Sequence, residues 1–151
     1  KILTEVDFLL VGFVSPEFAR ENLPSNVRFF GRVEQKNLPN ILRVANVLVL
    51  PHPKGEYSQS PLKLFEYMAS GVPIVASRLP SICEVLNDRN AILVDPEDEE
   101  AMAQGIKKVI ADTALARAVA EKARADVQNY TWEKRGSAIV GFIRKTIGVE
   151  K

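Results

Sequence analysis

The sequence predicts an α/β protein built on a doubly wound parallel sheet, and two observations predict it. Short apolar runs recur along the chain, DFLLV (7–11), VRFF (27–30), VLVL (47–50), PIVA (73–76) and AILV (91–94). Each has the length of a strand; PIVA has the continuity of one covered on both faces, and DFLLV is expected to be buried. Between them lie stretches with apolar residues at helical spacing, and strands alternating with helices imply parallel neighbours joined by right-handed crossovers.

The elements follow in order. Gly12 closes the first run, and Ser15 with Pro16 supplies a cap and first position for a brief helix that Pro24 ends. VRFF stops at Gly31. Leu38, Ile41, Leu42 and Ala45 fall at helical spacing, with Pro39 tolerated because it stands near the start. The segment from Glu56 to Ala76 then reads as loop, helix, glycine stop and strand. Ser60 is its expected cap and Pro61 its first helical residue. Leu62, Phe65, Met68 and Ala69 form the expected buried stripe, Gly71 ends the helix and Pro73 prevents its resumption.

Pro80 to Leu86 is expected as a short helix capped by Ser81, followed by the turn-formers Asn87, Asp88 and Asn90. Pro96 is expected to open a long helix to Ala111, with Glu97 to Glu100 at the positive end of its dipole and Lys107 and Lys108 near the other end. Two more helices span Thr113–Gln128 and Thr131–Ile147. Their apolar residues, Leu115, Val119, Ala123 and Val127 in one and Trp132, Ile139, Phe142 and Ile143 in the other, are expected to pack on one another and on the sheet. Trp132 is the expected anchor of the last helix.

A length of 151 residues suits one domain with a proper core, residues 1–151 being taken together. Lys and Arg number 20 against 19 Asp and Glu, a formal charge of +1. That balance gives no bulk field toward nucleic acid or an anionic membrane, so any anion site is local. Cys83 is the single cysteine, which excludes an intrachain disulfide and a cysteine metal cluster, and it is expected as a small buried apolar residue. No apolar run approaches the roughly 20 residues that span a bilayer. The chain begins at Lys1 without a methionine, and the expectation is of an excised piece or a processed form.

No Walker loop, zinc-binding helix motif or nucleophile elbow is present. His52, the only histidine, stands at the end of the third run, where it either faces a ligand crevice or is a loop histidine without a role. Glu66 carries the sharper question. It is either a surface glutamate supporting its helix or a carboxylate that accepts two ribose hydroxyls. In the second case backbone N–H groups near Ser60 to Leu62 hold a diphosphate and Lys63 adds charge. The residues alone leave these two even.

The order of NVRFFGRV, NLPNILRVANVLVLP, SPLKLFEYMASGVPIVAS, ICEVL, AILVDPED and NYTWEKR resembles the C-terminal, nucleotide-sugar-binding domain of the retaining GT-B glycosyltransferases of family 4. The resemblance runs from about Asp7 to the C-terminus. It implies the Rossmann-like half of a GT-B fold and, for the parent protein, hexosyl transfer from a nucleotide-diphosphate-sugar without metal or cofactor. It also implies that Glu66 binds the ribose, that Ser60, Pro61, Leu62 and Lys63 face the diphosphate, and that the turn of Gly31, Arg32 and Val33 lies against the base. The family's first glutamate falls on Ser58. Either Ser58 takes over a hydrogen bond to the donor sugar, or the loop is slipped and Glu56 reaches in, and the catalytic residue is left unassigned.

A complete domain of this kind carries a further strand, a loop with an Arg and Lys pair and a long helix before Asp7, and an acceptor-binding N-terminal domain before those. The resemblance therefore implies that domain as a partner and a chain that does not turn over by itself. It further implies no nucleic-acid partner and a cytoplasmic location, with peripheral membrane contact assigned to the acceptor domain. The alternative is a non-catalytic α/β interaction or regulatory module in which the Glu66 helix is purely structural.

Overall fold

The computed structural model describes residues 2–13, 15, 18, 23–55 and 62–148. Strand β1 (Phe8–Val11) pairs in parallel with β2 (Val27–Gly31), Phe8 opposite Val27 and Leu10 opposite Phe29. The register slips after Leu10, so Val11 stands opposite Gly31, and Gly12 N donates to Gly31 O at 2.8 Å. Asn26 fixes the start of this pair, its Nδ2 donating to the carbonyls of Leu3 and Val6 at 2.8 and 2.7 Å. A 3-10 turn (Gln35–Asn37) leads into α1 (Leu38–Arg43), with Pro39 in the first turn as its missing N–H allows.

Strand β3 (Leu48–Leu50) is followed by α2 (Leu62–Ser70), β4 (Ile74–Ser77), α3 (Pro80–Cys83) and β5 (Ile92–Val94). Three helices end the chain: α4 (Glu99–Ala111), α5 (Thr113–Asp126), continued by a 3-10 turn at Val127–Asn129, and α6 (Trp132–Ile147). Strand pairing is parallel throughout, and all five expected strands form within a residue or two of their apolar runs. They fall into two sheets, β1-β2 and β3-β4-β5, with no hydrogen-bonded ladder between them among the described residues.

Strand β4 shows why the helices lie on both sides. All four of its residues are buried, Ile74 and Ala76 packing with Leu64, Met68, Ile82 and Leu86 while Val75 packs with Ala103, Ile106 and Val109 of α4. A strand covered on both faces is what a doubly wound architecture requires. Helix α4 approaches closely: a Cβ built on Gly105 would stand 2.9 Å from Val75 Cγ1 and 3.1 Å from Val94 Cγ1. Helix α5 joins the other face through Ala123, and Val119 and Ala120 are buried on it as well.

Several local expectations are corrected. The buried stripe of α2 is Leu64 and Met68, with Phe65 half-buried, whereas Leu62 is 68% exposed and Ala69 is exposed. Helix α3 is shorter than expected and starts from Leu79, so Ser81 is inside it and caps nothing. Pro96 does not open α4. It lies in a turn with Glu97 at φ 65°, and Asp98 caps the helix by accepting from Ala101 N at 2.8 Å, an oxygen acceptor being what the free N–H groups there need. Cys83 is exposed, on the outward side of a one-turn helix whose Ile82 takes the core position.

The largest correction is α6. It is well made, capped by Thr131 Oγ1 accepting from Lys134 N at 3.3 Å and ended by Gly148 at φ 69°, yet it has no buried residue. Trp132 anchors nothing in the core, being 75% exposed with Arg135 over its ring, and Ile139, Phe142 and Ile143 are exposed too. Ser15 Oγ accepts from Phe18 N at 3.2 Å as a cap does, and most of the brief helix expected there lies outside the described residues. Among the described residues no helix is long and apolar enough to cross a membrane.

Candidate functional site

A cavity of about 1970 Å³ is lined by residues of both sheets and by residues past the carboxyl ends of their strands. It exceeds the roughly 300–1,000 Å³ of an ordinary small-molecule pocket, and its wall has two parts. One is apolar, formed by every residue of β1 and by Leu48 and Val49 of β3. The other is polar and lies past the strand ends, formed by Val33, His52, Lys63, Glu66, Ser77 and Asp95. Ligands in open α/β sheets bind in that second position.

Helix α2 presents the polar wall. Leu64 and Met68, 2% and 0% exposed, fix its rotation, and Phe65 meets the ring of Tyr130 with centroids 5.3 Å apart. With that face held, Lys63 and Glu66, three residues apart, share the side toward the cavity. Glu66 is half-buried, and its Oε1 accepts from Gln35 Nε2 at 3.0 Å. Among the described residues Glu66 Oε2 accepts no hydrogen bond and Lys63 makes no ion pair. Burial raises the Tyr67 phenol above its ordinary range, and the neighbouring Glu66 charge adds to the effect.

The turn after β2 forms the facing wall. Gly31 has φ +81°, a left-handed conformation that strains any residue with a Cβ, although no atom lies within 4 Å of where that Cβ would stand. Conformation, not crowding, requires glycine here, and the space beside it is open. Arg32 holds its guanidinium 5.2 Å from the centre of the Phe13 ring, and Val33 turns to the cavity.

Of the residues singled out from the sequence, Val33, Lys63 and Glu66 are brought to one cavity, with Gly31 and Arg32 adjoining and Leu62 exposed at the start of α2. His52 also reaches the cavity wall. Glu56, Ser58, Ser60 and Pro61 lie outside the described residues. Sequence reasoning missed Gln35, which stands 31 positions from its partner and belongs to no motif. It also missed Ser77 and Asp95, which a rule of inspecting the last residue of each strand and the one after it would have found. Among the described residues no group of three or more His, Cys, Asp or Glu is arranged to hold a metal ion.

Comparison with known proteins bears on this arrangement. The family model described as glycosyl transferases group 1 matches residues 1–112. Phosphatidyl-myo-inositol mannosyltransferase of Mycolicibacterium smegmatis is 32% identical over 132 residues, covering 85% of this chain and 34% of that protein. Sucrose-phosphate synthase of Thermosynechococcus elongatus superposes with a TM-score of 0.79 at 26% identity, over 99% of this chain and 41% of that one. HepE of Anabaena, solved in complex with UDP, gives 0.76 at 21% identity, over 95% and 43%. The chain thus spans about a third of the length of the curated relative. Its parallel strands with helices on both faces are the Rossmann-like half of a GT-B fold. With 112 of its 151 residues inside the family model and that fold around its cavity, the chain belongs to the glycosyl transferases group 1 family.

Proposed function

We propose that this chain is the C-terminal, donor-binding domain of a retaining, metal-independent hexosyltransferase of family 4. The observation that carries the proposal is the disposition of Glu66 and Lys63 on α2, at the carboxyl end of the sheet and across a cavity from the Gly31–Val33 turn. In this arrangement Glu66 accepts the two ribose hydroxyls, and the turn lies against the base through its backbone. Ser60, Pro61, Leu62 and Lys63 face the diphosphate, where the positive end of α2 and the Lys63 ammonium suit two phosphates. Ser58 or Glu56 stands near the sugar.

In the parent enzyme the bond between the anomeric carbon and the diphosphate oxygen breaks, the diphosphate leaving with the electron pair. The acceptor oxygen bonds to the same face of the sugar and passes its proton to the departing diphosphate. The contribution of this domain is to hold the leaving group where charge develops and to fix its orientation.

The acceptor domain and the remainder of the donor domain are assigned to other parts of the parent chain. Three observations support this. The residues matched cover only 34% of the curated relative. The described strands fall into two separate sheets, and all four residues of β1 line the same cavity as Leu48 and Val49 of β3. Helix α6 has no buried residue among those described and leaves Phe142 and Ile143 exposed, a face suited to the neighbouring domain. Any contact of the parent enzyme with a membrane belongs to that domain as well.

Titration with UDP, GDP and ADP, followed by amide NMR, tests the donor site. One of the three is expected to bind, with shifts at Gly31–Val33 and Lys63–Glu66, and Glu66→Ala is expected to weaken it at least tenfold, since hydrogen bonds to a charged group contribute about 1.5–3 kcal/mol. No response to any of them at millimolar concentration would favour the non-catalytic module.

A further inference from the structure

We propose that Gln35 is a positioning residue for Glu66, holding one carboxylate oxygen so that the other is presented to the ribose; the inference rests on the donor-site assignment above. Gln35 Nε2 donates to Glu66 Oε1 at 3.0 Å, and Glu66 Oε2 is left without a hydrogen bond among the described residues. The bond crosses from the 3-10 turn that follows the Gly31–Val33 loop to the helix carrying the carboxylate.

The two ends are held in place independently of this bond. Leu38, the first residue of α1, and Ala45, just past its end, pack against Leu42, Leu48 and Val72, as does Tyr67 of α2, which ties the 3-10 turn and α2 to one cluster. The acid next to Gln35 does not compete for the site, because Glu34 is paired with Lys36 at 2.7 Å. The amide of Gln35 is therefore the polar group that reaches Glu66 from the base-facing side of the cavity.

A half-buried glutamate still has several rotamers open to it, and ordering it on binding weakens affinity. A neutral donor orders it beforehand without cancelling its charge, which an arginine or lysine at this position would do. Gln35 also keeps its own Oε1 as a further acceptor. Ordering one long side chain in advance corresponds to about threefold to tenfold in affinity.

The experiment measures the affinity of the wild-type chain and of the Gln35→Leu, Gln35→Glu, Glu66→Ala and Gln35→Leu/Glu66→Ala variants. The probes are UDP, GDP and ADP, and then the 2′,3′-dideoxy form of whichever binds. Gln35→Leu is expected to lose about threefold to tenfold toward the ribonucleotide and nothing toward the dideoxy form. Gln35→Glu, which replaces the donor by a second carboxylate, is expected to lose more. The double variant is expected to be no weaker than Glu66→Ala alone. Equal losses toward both nucleotide forms would mean that Gln35 shapes the base-facing turn, and would overturn the inference. A loss in Glu66→Ala with none in Gln35→Leu would overturn it while leaving the ribose assignment standing. An unchanged affinity in Glu66→Ala, or no binding of any of the three nucleotides, would overturn both. Gln35 is exposed, so its variants are expected to keep the wild-type Tm, and a shared drop in Tm would count against positioning as the cause.

Discussion

Replacing Gly105 by alanine sets two known effects against each other, and the structure decides which wins. In an open helix interior the change stabilises by about 0.8–1 kcal/mol. At Gly105 the new Cβ would stand 2.9 Å from Val75 Cγ1, 3.1 Å from Val94 Cγ1 and 3.4 Å from Ile92 Cγ2. Optimal carbon contacts lie at about 3.5–4.0 Å. Val75 is fully buried in the central strand β4 and, being β-branched, is stiff at χ1, so it does not yield. Overpacking of this kind costs about 1–3 kcal/mol, which outweighs the helix gain and leaves a net loss of about 1 kcal/mol. Urea denaturation with an unchanged slope is the assay. Gly136 in α6, with no atom within 4 Å of its Cβ position, supplies the control. Gly136→Ala is expected to increase hydrogen-exchange protection along α6, showing the helix gain without the clash. If Gly105→Ala instead stabilised the chain by about 1 kcal/mol, the close seating of α4 on β4 and β5 would be refuted. That seating matters to the site because β4 and β5 deliver Ser77 and Asp95 to the cavity wall.

Two further outcomes are expected. The Asp126 carboxyl is held below the ordinary carboxylate range by Lys122, and next by the Nδ2 of Asn90 at 3.0 Å. A carboxylate lowered in the folded state stabilises fully above its unfolded value, about 3.9, and that contribution is lost as pH falls through the lowered folded value. The gap in urea midpoint between wild type and Asp126→Asn should therefore be constant from pH 7 to about 5 and close below about 4; a gap that persists unchanged to pH 3 would show that the charge is irrelevant. Cys83, being exposed, should react with one equivalent of a thiol-specific chromogenic disulfide in the native protein; reaction only after unfolding would contradict its position on α3.

How far the chain was legible depended on whether the deciding partner was near in sequence. The strands were legible because a run such as Ile74–Ser77 declares burial on both faces by itself. The rotation of α2 was not. Leu62, Leu64, Phe65, Met68 and Ala69 allow two overlapping stripes, and the contacts of Leu64 with Leu50 and Ile82 choose between them. Asn90 read as a turn residue because Asn87 and Asp88 surround it, and it does sit in a turn. Its burial comes from Asp126, a partner 36 positions away. The apolar face of α6 was visible as a pattern, but a pattern tells which side of a helix is apolar and not what covers it. Within the site, Glu66 and Lys63 stood out on a short, well-punctuated helix, whereas Gln35 had only the folded arrangement to mark it.

The break between the two sheets has a consequence for how the isolated chain behaves in a tube. Among the described residues β3 is an edge of its sheet and β1 has one edge that no strand covers. Each edge presents a row of backbone donors and acceptors beside apolar side chains, which is the template on which chains add to one another. Leu9 is 48% and Phe30 56% exposed on the smaller sheet, so the nearby surface does little to discourage such pairing. Concentrated solutions of this chain should accordingly self-associate through strand addition, and a short apolar peptide able to occupy the edge should keep it dispersed. Solubility, on this view, reports on whether the edges are filled.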